Sequence, residues 1–154
     1  MAVTRFTGPV MSGDLLQGDT NGPNTGLARL SQTILIQQAG AGTQNYVLNI
    51  PAGSVIEDFN VDVLTAFDSV TSATLTIGNA VGGTQYVSSQ NVKTAGRAAI
   101  TYTAAQLAAM AGLTVAGAAA PTVANINMQV VATGTTANGT VLVTVHYVQQ
   151  GTLT

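Results

Sequence analysis

The stretch VANINMQVVA, residues 123–132, decides the fold class, because its side chains change in chemistry from one residue to the next. The apolar positions are Ala124, Ile126, Met128 and Val130. The amide positions between them are Asn125, Asn127 and Gln129. Successive side chains of a β-strand point to opposite faces. This period of two therefore predicts a strand with one face in a core and the other in water.

A second alternating stretch, TVLVTVHYV at residues 140–148, is apolar on one face and half apolar on the other. The apolar face consists of Val141, Val143, Val145 and Tyr147. The other face consists of Leu142, Thr144, His146 and Val148. We therefore expect this strand to be buried on both sides. The loop between the two stretches contains Asn138-Gly139, a pair that supplies the positive φ angles of a tight turn. Together the two stretches predict a β-hairpin.

Short runs rich in Thr, Val and Ile continue this pattern from residue 31 onward, and clusters of Gly, Pro and Asn separate them. The predicted strands are 32–38, 45–50, 54–67, 73–78, 85–88, 98–102, 123–132 and 140–148. Short strands at regular spacing are typical of all-β sandwiches. We predict one domain, residues 31–154, folded as a jelly-roll-like β-sandwich of about eight strands with one short helix.

The predicted helix lies in TYTAAQLAAMAGL, residues 101–113. Thr103 followed three residues later by Gln106 is a capping box, which marks a helix start. Leu107 and Met110 are expected to share the packed face, and Gly112 is expected to end the helix. Packing against the sheet is the function that we expect for this helix.

Residues 1–30 contain Gly, Pro and Asx residues too closely spaced for regular secondary structure. Apolar side chains recur among them, so we expect an extended N-terminal arm that becomes ordered by docking on a neighbouring protein. A disordered tail is the alternative. The candidate partner-binding residues of the arm are Arg5, Phe6, Val10, Leu15, Leu16, Leu27 and Arg29.

Charged residues make up only 6% of the chain, whereas about 25% is usual for a globular domain. Thr, Ser, Asn, Gln, Gly and Ala cover the surface instead, at a formal net charge of −2. Such a surface gives little like-charge repulsion and favours association. Two interpretations stay open: the surface meets other protein subunits, or it is simply a neutral secreted or viral surface.

The composition also excludes several classes of function. Because the chain has no cysteine, disulfides, thiolate metal sites and cysteine nucleophiles are ruled out. Lys and Arg together number 4, too few for a stripe that follows phosphates, so we expect neither nucleic-acid nor membrane partners. The N-terminus lacks the apolar core of a signal peptide, which predicts a soluble protein made in the cytoplasm.

Three carboxylates, Glu57, Asp58 and Asp62, occur in one predicted strand. Alternation groups Asp58, Asn60 and Asp62 on a polar face, and Glu57 with Val55, Phe59, Val61 and Val63 on the core face. Asp58 and Asp62 would then be about 13 Å apart, wider than the roughly 5–9.5 Å of glycosidase carboxylate pairs. We expect neither an acid–base pair nor a metal site. Because an unpaired carboxylate on the core face would be costly, we expect Glu57 either to lie where the start of the strand frays or to pair with an arginine such as Arg97.

His146 is the single histidine, and its strand neighbours offer neither a carboxylate nor a nucleophile. We expect it to be a packed or interface side chain. The glycine-rich GNAVGG, residues 78–83, lacks the Lys-Ser/Thr of a phosphate-binding loop and predicts a turn. We therefore expect no enzyme activity and no cofactor. A hydrolase would require polar residues from separate strands to converge in a pocket.

Three stretches together resemble a known family: IPAGSVIEDFNVDVLTAFDSVTSATLTIGNA, TAAQLAAMAGL and GTVLVTVHYVQ. Over roughly residues 45–150, the chain is similar to the small jelly-roll proteins that decorate the heads of tailed bacteriophages, also called cement proteins. This resemblance implies a virion protein on the outer capsid surface that clamps neighbouring major capsid subunits. It also implies a dimer or trimer, and it carries over no specific contact residue.

A carbohydrate- or host-binding β module, such as a head fibre or fibre base, is the alternative function. It would bind glycans in the isolated domain. Its candidate site residues are Tyr46, Tyr86 and Tyr102.

Overall fold

The computed structural model describes residues 27–38, 40, 42–51, 54–111, 123–134 and 138–150. These ranges contain eight strands and one helix in the following order. The elements are β1 (Leu27–Gln37), β2 (Gly42–Pro51), β3 (Ser54–Thr65), β4 (Ser72–Gly78), β5 (Val87–Asn91), β6 (Gly96–Arg97), α1 (Ala104–Ala111), β7 (Val123–Thr133) and β8 (Thr140–Gln150).

The strands form two four-stranded antiparallel sheets, which confirms the predicted β-sandwich. The first sheet has the order β1-β8-β3-β6, and the second sheet has the order β2-β7-β4-β5. The chain crosses between the sheets at almost every connection, so neighbours within a sheet are distant in sequence. This double-sheet order of eight strands is that of a jelly roll.

The core lies between the two sheets and is built from the apolar faces of the alternating strands. The predicted inner faces of the last two strands are confirmed, since Ile126, Met128 and Val143, for example, are at most 1% exposed. The second face of β8 is half-exposed on the outside of the first sheet, so the expected burial of β8 on both sides is wrong. The inner face alone supplies the core contacts.

The predicted hairpin between β7 and β8 is also wrong. β7 pairs with β2 and β4, whereas β8 pairs with β1 and β3 in the opposite sheet. Gly139 lies where the chain crosses between layers, and its carbonyl accepts a hydrogen bond of 2.9 Å from the N–H of Gln38. A Cβ built on Gly139 would lie 2.5 Å from Cγ of Phe67. Close packing, and not a tight turn, requires glycine here.

Two further strand predictions differ from the structure. Residues 98–102, predicted as a strand, have no regular secondary structure, and β6 consists of Gly96–Arg97 alone. The N–H of Ala98 still donates to the carbonyl of Val61 over 2.9 Å, after which the chain leaves the sheet for α1. β1 begins at Leu27, so the last four residues of the predicted arm belong to the first sheet.

The capping box of α1 is confirmed. The N–H of Thr103 donates to Oε1 of Gln106 over 2.8 Å, and the N–H of Gln106 donates back to Oγ1 of Thr103 over 3.3 Å. The packed face is different from the prediction: Gln106 and Met110 are buried, whereas Leu107 is 50% exposed. The predicted end at Gly112 lies outside the described residues. Within those ranges, no helix has the length and apolar content needed to cross a membrane.

Candidate functional site

The Asp, Glu, Arg and His side chains of the described strands all belong to the first sheet. They are Arg29 in β1, Glu57, Asp58 and Asp62 in β3, Arg97 in β6 and His146 in β8. The strands of the second sheet contain no Asp, Glu, Lys, Arg or His. The two outer faces of the sandwich therefore differ in kind, one ionic and one neutral.

Two ion pairs neutralise most of the charge on the first sheet. Arg97 donates two hydrogen bonds to Asp62. Its Nε lies 2.7 Å from Oδ1, and its Nη2 lies 2.9 Å from Oδ2. This bidentate hydrogen bonding holds the pKa of Asp62 below its usual value. Nε of Arg29 lies 2.6 Å from Oε2 of Glu57. Glu57 thus has an arginine partner, as predicted, but the partner is Arg29 and not Arg97, because β6 pairs with β3 at Asp62.

A β-bulge at Glu57 explains why this residue is not in the core. The register between β3 and β8 shifts between Ile56 and Asp58, so Glu57 is an extra residue without a cross-strand partner. Ile56 is 3% exposed and faces the core, whereas Val55 and Glu57 do not. The predicted core positions of Val55 and Glu57 are therefore wrong. Beyond the bulge, Asp58, Asn60 and Asp62 lie on the outer side, as predicted.

Asp58 is held in a compact hydrogen-bond cluster. Its Oδ1 accepts from the hydroxyl of Tyr102 over 2.7 Å and from the N–H of Phe59 over 2.8 Å. The N–H of Phe59 also lies 3.0 Å from the Tyr102 hydroxyl oxygen. Partial burial, together with the hydrogen bond to Asp58, raises the pKa of Tyr102. Asp58 thus fastens the segment after β6 to the bulge of β3.

His146 lies opposite Asp58 on one neighbouring strand and opposite Ser31 on the other. Its Nε2 is 2.9 Å from Nδ2 of Asn60. Because an amide nitrogen can only donate, the ring nitrogen is the acceptor of this hydrogen bond. Within the described ranges, no hydrogen bond or ion pair joins His146 to a carboxylate. The same ranges contain no cluster of three or more metal-ligating side chains.

The outer face of the second sheet carries amides, hydroxyls and two valines. Its members are Thr43, Asn45, Val47 and Asn49 of β2, Asn125, Asn127, Gln129 and Val131 of β7, and Ser72, Thr74 and Thr76 of β4. Asn45 and Gln129 are joined by a hydrogen bond of 2.9 Å, donated by Nε2 of the glutamine. We call this set the neutral face. The amide face of β7 was evident from the sequence, but its continuation across β2 and β4 was not.

The loop after β4 borders the neutral face. A tight turn forms there, in which the N–H of Gly83 donates to the carbonyl of Ala80 over 2.9 Å. Gly82 in this turn has a φ of 71°, and a Cβ on it would lie 3.4 Å from Oε1 of Gln129. The turn predicted for residues 78–83 is thus confirmed, and it closes one end of the face.

The tyrosines proposed for glycan binding do not form an open aromatic platform. Tyr86 is 2% exposed, and its ring stacks on Phe59 with centroids 5.8 Å apart. Tyr46 and Tyr102 are half-buried, and the hydroxyl of Tyr46 donates to the carbonyl of Gln37 over 2.6 Å. The role expected of Tyr86 is therefore wrong, because its ring is part of the core.

The residues predicted for the arm fall into two groups. Arg5, Phe6, Val10, Leu15 and Leu16 lie outside the described residues. Leu27 and Arg29 lie in β1, opposite Gln150 and Val148 of β8.

No protein-family model matches the sequence. No curated protein matches it either. Among solved structures, a chain of the cyanophage Pam1 capsid asymmetric unit is similar to this one, at 19% identity and a TM-score of 0.49. The match covers 97% of this chain and 99% of that chain. A likeness at this level assigns no role to the chain.

Proposed function

We propose that this chain is a structural, non-catalytic protein of a phage particle, which binds the outer surface of the capsid and stabilises it by clamping neighbouring coat subunits. The observation that carries the proposal is that, in the described strands, every charged side chain belongs to the first sheet. The neutral face would be the surface that contacts the shell. The resemblance of residues 45–150 to phage decoration proteins supports this assignment.

Desolvation explains why the neutral face is the better binding surface. Burying a charged group costs several kcal/mol unless a partner is placed with good geometry. Buried amides and hydroxyls cost far less when they regain hydrogen bonds, and the centres of protein interfaces are depleted of Lys, Glu and Asp. The first sheet, by contrast, keeps its ion pairs at the surface, where the Arg97 side chain is 64% exposed.

The size of the neutral face indicates how the binding energy is distributed. Three strands about 4.8 Å apart and about nine residues long give a face of roughly 400 Å². A standard interface buries about 800 Å² on each partner. One such face alone would bind weakly, so stable attachment needs further contacts, such as the N-terminal arm, or several subunits bound at once.

A matched pair of lysine substitutions tests this assignment. Asn127→Lys places a charge in the middle of the neutral face, and Thr144→Lys places the same charge in the middle of the outer face of the first sheet. Both residues are half-exposed on a central strand. The measurement is co-sedimentation with empty shells assembled from the coat protein of the virus that encodes the chain.

We expect the unmodified chain and Thr144→Lys to fill the shells and to raise the temperature at which they rupture, whereas Asn127→Lys does neither. Absence of binding by the unmodified chain would refute the capsid role. Loss of binding by Thr144→Lys, with retention by Asn127→Lys, would show that the first sheet contacts the shell and would refute the role of the neutral face. Circular dichroism of each variant establishes that the sandwich is intact.

The role of the arm is tested by deleting residues 1–26. The deletion stops before β1, because Leu27 already pairs with β8. We expect the truncated chain to unfold at nearly the same urea concentration as the full chain and to lose shell binding. Undiminished occupancy would show that the arm contributes nothing to attachment.

A further inference from the structure

We propose that β2 pairs with β2 of a second copy of this chain across a two-fold axis, so that two second sheets join into one continuous sheet of eight strands. In this dimer Val47 faces Val47 of the second copy. The inference concerns self-association and holds whether or not the chain binds a capsid.

β2 is an unprotected sheet edge. It pairs with β7 over its whole length, and no strand lies beyond it in the described part of the chain. Proteins usually guard such edges with charges, prolines, bulges or very short strands, because an open edge offers unpaired N–H and C=O groups to another strand. β2 has ten residues and no charge, and its single proline is the last residue.

The other three edges carry such protection. β6 has two residues and includes Arg97. β5 pairs irregularly with β4 and contains Ser89 with a φ of 55°, which interrupts regular pairing. β1 carries the charged Arg29 as its third residue. β2 has no charge and pairs with β7 in regular register, and its one positive φ, of 111°, is at its first residue, Gly42.

Two inner side chains in the middle of this edge are less buried than their neighbours on β7, although Ile50, near the end of β2, is fully buried. On the neighbouring strand β7, Ile126 and Met128 are at most 1% exposed. Tyr46 and Leu48, which point to the same core from β2, are only half-buried. Another strand alongside β2 would cover these two side chains and bury further apolar surface.

The sequence of β2 selects the register. In an antiparallel pair, opposite residues point to the same face, so a two-fold axis must pass through a residue position. An axis at residue 47 uses almost the whole strand, sets Val47 against Val47 and sets Asn45 against Asn49. Val47 is 49% exposed, the one large apolar side chain on the outer side of this edge. An axis at residue 46 would instead set Val47 against Asn45, leaving the valine opposite an amide.

Single cysteines test both the contact and its register, since the chain has no cysteine of its own. Opposite Cα atoms in an antiparallel pair are about 4.5–5.5 Å apart, within the roughly 4.4–6.8 Å that a disulfide spans. We expect Val47→Cys to form disulfide-linked dimers on mild oxidation. Asn45→Cys and Asn49→Cys should cross-link when mixed, and neither should cross-link alone. Val131→Cys, on the same face but one strand inside, is the matched control.

Charge substitutions give a second, independent measurement. In sedimentation velocity we expect the full chain to be a dimer and Val47→Lys to dissociate with a dissociation constant raised about ten-fold or more, because two like charges meet at the axis. Val131→Lys should leave the dimer unchanged. A mixture of Val47→Lys and Val47→Glu should restore dimers, and 0.5 M salt should weaken that restoration.

Several results would overturn the proposal. A trimer would do so, because isologous edge pairing closes at two copies. So would a monomer at all concentrations, including one that dimerises only after residues 1–26 are removed, since the edge would then be covered by its own chain. Cross-linking of Asn45→Cys with Val47→Cys would move the axis to residue 46 and refute the stated register.

Discussion

Tyr102 shows how one side chain joins a segment without regular structure to the sheet. Its hydroxyl donates to Asp58, next to the bulge of β3, and its oxygen lies within reach of the N–H of Phe59. The sequence drew attention to both residues, but it could not predict that they are in contact, because 44 positions separate Tyr102 from Asp58. The bulge itself depends on how β3 pairs with β8.

Replacing Tyr102 by phenylalanine should lower the free energy of unfolding by about 1–2 kcal/mol, because a hydrogen bond to a carboxylate is lost in a partly buried place. Tyr46→Phe is the control, since the Tyr46 hydroxyl bonds only to uncharged acceptors, the carbonyl of Gln37 and Oε1 of Gln44. Its loss should be smaller. Urea unfolding of both variants measures the two decreases in unfolding free energy, and equal decreases would contradict the prediction.

The same tyrosine predicts a change of stability with pH. The pKa of Tyr102 in the folded state is raised above its usual value of 10.0, so folding favours the neutral phenol. The stability that it contributes is complete below pH about 10 and is lost as the pH rises above that value towards the folded-state pKa. The difference in unfolding free energy between the unmodified chain and Tyr102→Phe should therefore narrow above pH about 10. A constant difference up to pH about 12 would contradict this assignment.

At the scale of elements, the connection between β7 and β8 is the most informative feature. Both strands have one apolar face, and Asn138-Gly139 between them has the composition of a tight turn. In the structure the apolar faces approach the same core from opposite sheets, and Gly139 is needed because Phe67 packs against its backbone. Local turn chemistry predicted a hairpin, and packing across the sandwich decided otherwise.

Gly139→Ala should destabilise the protein by about 1–3 kcal/mol, because the new methyl group would overlap the ring of Phe67. Combining it with Phe67→Leu, which removes part of that ring, should cost less than the sum of the two single changes. Urea unfolding of the four proteins of the cycle gives the coupling energy. Strict additivity would show that the close approach is not energetically significant.

For the whole molecule, the separation of charge between the two outer faces is the dominant property. With the neutral face against a shell, binding would contain almost no Coulombic contribution. We therefore expect the shell affinity of the unmodified chain to change by less than about three-fold between 0.05 and 0.5 M salt, although the Debye length falls from about 14 Å to about 4 Å. A steep loss of affinity with salt would point to the ion-paired face of the first sheet instead.

The sequence by itself determined the fold class, most strand positions, the capping box of α1 and the near absence of charge. These follow from the side-chain period and from residues three apart, which are local properties of the chain. Only the tertiary structure decided that β7 and β8 lie in different sheets, that Glu57 occupies a bulge beside Arg29, and that the charges collect on one face. The physical reason is that strand partners in a jelly roll are far apart in sequence, so pairing and register depend on how the two apolar layers close over a common core.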